Sequence, residues 1–146
     1  EVHMGSTADA LILIGNDGAD FSLRKKVNSG DEIMTVRIVP PKTSADTTRR
    51  MTVTFFFPCH GSPSKLVTKP PSLNHSGKIE HDFEGRTAIE SIKNAVLIDK
   101  TNGAGKLFIR KTAKDAIELD ARFTHDKVSI FTVGIASFLS MVKGIK

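Results

Sequence analysis

The chain has 146 residues, 39% of them hydrophobic and 25% charged, which suits one globular domain spanning residues 1–146 and excludes a disordered polymer. Lys and Arg number 21 against 16 Asp and Glu, and the net charge of +5 favours polyanionic partners over acidic-surface chemistry. No apolar run is long enough for a membrane span, and no basic-then-apolar leader opens the chain. The single cysteine, Cys59, excludes an internal disulfide, and together these features predict folding in a reducing cytoplasm.

Leu11 to Ile14 is a short apolar run, and Asn16-Asp17-Gly18 after it is a strong hairpin signal. Phe21 to Val27 alternates, with Phe21, Leu23 and Val27 on one side and Ser22, Arg24 and Lys26 on the other. Asn28-Ser29-Gly30 makes the next turn. Ile33 to Val39 then places Met34, Val36 and Ile38 on one face and Thr35 and Arg37 on the other. After Pro40-Pro41 and a polar loop, Arg50 to Phe57 repeats the pattern. Met51, Val53, Phe55 and Phe57 point one way; Arg50, Thr52 and Thr54 point the other. Connections this short require an antiparallel meander. Its polar face, read from these two strands, holds Thr and Arg without an acid. That composition fits a surface laid on phosphates, and it also fits a solvated sheet face, which is the commoner of the two.

Pro58 to Lys78 contains four prolines and three lysines but no acid, and it reads as an extended loop with a short edge strand at Lys65 to Thr68. A loop of this length contacts a neighbouring subunit or a ligand, or is simply surface. Thr87 to Leu97 carries Ala88, Ile89, Ile92, Ala95 and Val96 at helical spacing, while Val96 to Ile98 equally suits a strand entering a hairpin through Thr101-Asn102-Gly103. Lys106 to Lys111 reads as a strand, and Asp115 to Phe123 as another with Ile117, Leu119, Ala121 and Phe123 on one face. Thr124 or Asp126 is placed to cap a following helix. From Lys127 to the end, Val128, Phe131, Ile135, Leu139, Val142 and Ile145 form one apolar stripe, and Ile130, Val133 and Met141 a second. A helix greasy on most sides is covered either by its own fold or by a partner chain. Gly134 and Gly144 are candidate bends.

Catalytic constellations are poor. Asn102 to Lys106 resembles a phosphate loop but lacks its earlier glycine, at Lys100, and its Ser or Thr, at Leu107. His3, His60, His75, His81 and His125 have no ligand spacing and read as surface residues, so no metal and no cofactor are expected. Cys59 and His60 are adjacent, which does not converge a nucleophile and its base. Asn74-His75-Ser76 fits a glycosylation acceptor without a secretory context. No enzyme is expected.

Arg37-Ile-Val-Pro-Pro41, the polar loop, and Arg49-Arg-Met-Thr-Val-Thr-Phe-Phe-Phe-Pro58, set in an antiparallel meander behind an N-terminal hairpin, resemble the coat protein of single-stranded RNA bacteriophages, the levivirus type. The resemblance runs from Leu11 to Pro58 in motif, and from Asp115 to Lys146 in pattern only. It implies an α+β fold, an antiparallel sheet whose C-terminal helices pack across a dimer partner. It further implies a homodimer that assembles into an icosahedral virion shell in the bacterial host cytoplasm, enclosing a single-stranded RNA genome. In that frame Thr35, Arg37, Arg50, Thr52 and Thr54 face RNA, while Phe131, Ile135 and Leu139 meet the second chain. Three departures stand against it. Pro58 to Lys114 is long for the pattern, the chain has no Tyr for base stacking, and Glu118 and Asp120 fall on the polar face of the last strand. The alternatives are a small non-enzymatic nucleic-acid-binding module and an adaptor gripping proteins through the terminal helix.

Overall fold

A computed structural model describes residues 2–3, 10–25, 30–41, 49–58, 60–73, 75–77, 79–101 and 105–142. The turns expected at Asn28-Ser29 and Asn102-Gly103, the polar loop expected after Pro41, Lys26, Val27, Cys59, Asn74, Lys78 and residues 143–146 lie outside them.

Alternation becomes strands where it was expected, except that the strand from Arg50 ends at Phe55, and Phe57, expected on its apolar face, is 67% exposed in the bend that follows. The strands are β1 (Val2–His3), β2 (Ala10–Gly15), β3 (Asp20–Lys25), β4 (Glu32–Val39), β5 (Arg50–Phe55) and β6 (Lys65–Thr68). They continue as β7 (Ser72–Leu73), β8 (Ile79–Glu80), β9 (Ala95–Ile98), β10 (Lys106–Ala113) and β11 (Ala116–Ala121). One sheet runs β1-β2-β3-β4-β5-β6-β9-β10-β11, antiparallel throughout, and β7 pairs with β8 in a separate ribbon. The β2–β3 hairpin turns through Asn16, Asp17 and Gly18 at φ of 51, 56 and 82°, values that Asn, Asp and Gly tolerate best.

A single helix, α1 (Lys127–Leu139), follows β11. Asp126 is its cap: the carboxylate accepts the Ser129 backbone N–H at 2.8 Å and the Ser129 hydroxyl at 2.8 Å. The helix touches β3 and β4 as well as β11. In sheet order β4 and β11 stand five strands apart, roughly 24 Å in a flat sheet, against a helix diameter of about 10 Å. The sheet is therefore curled, with α1 in its hollow. Ile12, Leu23, Met34, Val53, Leu66, Leu97 and Leu107 line that hollow with Val133 and Ala136 of the helix.

Four expectations are corrected. Lys65 to Thr68 is a strand, but an interior one: β6 pairs with β5 on one side and β9 on the other, and Leu66 is fully buried. Of the two readings of Thr87 to Leu97 the helix is overturned and the strand holds, as β9: Ile92 and Lys93 turn, and Asn94 donates to the Ile89 carbonyl at 2.8 Å and accepts the Lys111 N–H at 2.7 Å. The terminal helix is one helix ending at Leu139, because Ser140 turns extended and its hydroxyl donates to the Gly18 carbonyl at 2.7 Å. Gly134 bends nothing. A Cβ there would stand 2.6 Å from Leu119 Cδ1, so the glycine lets α1 lie close on β11.

Candidate nucleic-acid interface

Strand register decides which side chains share a face. Thr35 stands opposite Thr54, Arg37 opposite Thr52, and Val39 opposite Arg50. Two-residue periodicity puts all five sequence-selected residues, Thr35, Arg37, Arg50, Thr52 and Thr54, on the side of the sheet away from α1. Ser22 extends the row beyond Thr35, and Lys65 extends it beyond Thr54. A shallow depression of about 580 Å³ opens on this face, lined in part by Leu13, Arg24, Thr35, Arg37, Thr52 and Thr54.

The face is not free of acid, contrary to the reading from β4 and β5 alone. Strand β3 brings Asp20 directly across from Arg37, whose Nε donates to the Asp20 carboxylate at 2.9 Å. The Arg37 hydrogen bond, with a second from Asn16, holds the Asp20 carboxyl below its ordinary value of 3.8. Glu32 accepts from Arg24 at 3.2 Å and from the Ser22 hydroxyl. Arg24, Arg37, Arg50 and Lys65 still outnumber Asp20 and Glu32, so the face stays basic. Asp20 shares the period-2 face of Ser22 and Arg24, and extending that alternation back one step was the available signal.

Toward β11 the same side is closed. Phe83 packs with Val96 and Phe108 over the strands, and Arg122 lies over the Phe108 ring at 5.3 Å. Here Glu118 pairs with Arg110 at 2.7 Å, and Asp120 with Arg86 and Arg122. Burial opposes ionisation of Asp120, but the Arg122 and Arg86 hydrogen bonds prevail and hold its carboxyl below 3.8. Both acids that stood against the RNA reading are thus neutralised and lie outside the open part of the face.

On the helix side, α1 turns Ser129, Thr132, Val133, Ala136 and Ser137 inward. Three of its large apolar residues point outward, Phe131 at 52% exposure, Phe138 at 42% and Leu139 at 43%, while Ile130 packs partly against the core. Of the expected dimer residues, Phe131 and Leu139 are therefore surface groups, whereas Ile135 packs partly against the chain's own core. Arg49, missed as a site residue, is buried and ties the helix end to the sheet. It donates to the Ser137 carbonyl at 3.2 Å, the Ser137 hydroxyl at 3.1 Å and the Val142 carbonyl at 3.4 Å. Burial draws its guanidinium down to about 10, which leaves it charged at neutral pH against the negative end of the helix.

Two histidines expected at the surface are instead packed. The His125 ring lies 4.2 Å from that of Phe55, and His81 stacks on Phe83, with burial lowering the His81 pKa. Among the described residues no group of three His, Cys, Asp or Glu side chains is placed to hold a metal, and no helix is long and apolar enough to cross a membrane. No protein-family model matches the chain, and no curated protein matches it significantly.

Proposed function

We propose that the chain is a capsid protein of the single-stranded RNA phage type, which dimerises, assembles into an icosahedral shell and lays its Thr and Arg sheet face on the RNA genome. The observation that carries this reading is the opposition of two surfaces. An outward stripe of Phe131, Phe138 and Leu139 lies on one side of the sheet, and the basic Thr-rich strand face lies on the other. A helix that leaves Phe131, Phe138 and Leu139 exposed along one side is suited to a second chain. With the stripe taken up by a partner, the strand faces of a dimer are left for phosphate. The proposal includes no catalysis, no cofactor and no membrane.

One observation favours a smaller, monomeric nucleic-acid-binding module: the curled sheet already gives α1 a core within one chain. Light scattering after size exclusion, with electron micrographs of the peak, separates the two. Shell-sized particles support the capsid, and monomers at every concentration support the module. Phe131→Asp with Leu139→Asp should yield folded monomers, because both side chains are already solvent-exposed in the single chain. Intact particles from that variant would remove the helix stripe from the assembly.

A further inference from the structure

A second collection of cations lies on the helix side of the sheet, where the RNA face has no access. Lys93, Lys111 and Lys114 border a depression of about 240 Å³ that also touches Asp115, Ile117 and Phe138. We propose that this depression is a binding site for a small doubly charged oxyanion of the phosphate class, held by Lys93, Lys111 and Lys114.

The positions are fixed by the fold. The Lys93 ammonium donates to the Phe138 carbonyl at 2.6 Å and lies 4.1 Å from the Phe138 ring centroid, which leaves it two further N–H donors. Asn94 holds the Lys111 backbone N–H at 2.7 Å, so the side chain leaves β10 from a pinned strand. Lys114 and Asp115 form the tight turn into β11. Three lysines and one aspartate line the depression, and that excess of charge matches a dianion. Among the described residues, none of the three lysines forms an ion pair with a carboxylate. The nearby Arg49 charge is already spent on the carbonyls of Ser137 and Val142. Burial, followed by repulsion from Arg49 and Lys111, lowers the Lys93 pKa, and an anion among these groups would relieve that repulsion.

Capping the helix end accounts for Arg49 and Lys93. It does not account for Lys111 and Lys114, and they are the residues to test. Inorganic phosphate and pyrophosphate titrated into the full chain by calorimetry should give saturable binding at one site per chain. Lys111→Gln with Lys114→Gln should weaken it by roughly tenfold. Asp115→Asn should tighten it. At alkaline pH the binding heat should vary with the buffer's ionisation enthalpy, because the anion draws a proton onto Lys93. Phosphate should also raise the melting temperature of the native chain, and raise that of the Lys111 and Lys114 double variant by less at the same concentration. Absence of saturable binding at millimolar anion, or binding unchanged in the double variant, would overturn the proposal and leave a helix-capping cluster only.

Discussion

Removal of Arg37 and Arg50 should change how RNA binding responds to salt. Both guanidinium groups lie on the open face, at neighbouring positions of β4 and β5. Each phosphate contact on a single strand contributes about 0.7 to the slope of log affinity against log salt. Arg37→Ala with Arg50→Ala should therefore flatten that slope by about 1.4. Between ~50 and ~200 mM salt, the native chain would lose about sevenfold more affinity than the variant. Asp20 supplies an internal control. It now competes with phosphate for Arg37, so Asp20→Asn should bind RNA more tightly and with a steeper slope. Fluorescence anisotropy on an unstructured oligonucleotide over a salt series measures both quantities, with circular dichroism and size exclusion confirming that fold and oligomer are retained. Unchanged affinity and unchanged slope in the double variant would refute phosphate contact through this face.

Leu66→Ala tests whether the Pro-rich segment belongs to the core: the side chain is fully buried, so the substitution should cost about 2–5 kcal/mol and lower the melting temperature by roughly 5–20 °C. A change within about 0.5 kcal/mol, the range of surface substitutions, would return the segment to the periphery. Asp126→Ala should cost about 1 kcal/mol through loss of the helix cap, measured by urea titration, whereas Asp126→Asn should retain most of it at neutral pH. Burial works against the Asp126 charge, but the Ser129 backbone and hydroxyl hydrogen bonds hold its folded pKa below the ordinary 3.8. Its ionic contribution is full above 3.8 and fades as the pH falls from there through the lower folded value, so both variants should show a shallower acid limb between neutrality and acid unfolding. An acid limb identical to that of the native chain would remove Asp126 from the cause.

What was legible in the sequence was whatever depends on neighbours along the chain. Period-2 alternation set β3, β4, β5 and β11, because a side chain's face is fixed by backbone geometry within two residues. Asn16-Asp17-Gly18 set the first hairpin through the φ values those residues accept, and Thr124 and Asp126 marked the start of α1, of which Asp126 is the cap. What the tertiary structure alone decided is which strands meet. Pairing on both sides turned Lys65 to Thr68 from an edge into an interior strand, although its own four residues carry no sign of its neighbours. Register across β3 brought Asp20 onto Arg37 from 17 residues away and made an acid-free face a mixed one. The helix shows the limit most clearly. Hydrophobic spacing marked two stripes on α1 but not which one turns inward. Curling of the sheet turned Ser129, Thr132, Val133, Ala136 and Ser137 inward, with Gly134 letting the helix lie close on Leu119, and Phe131, Phe138 and Leu139 were left facing out.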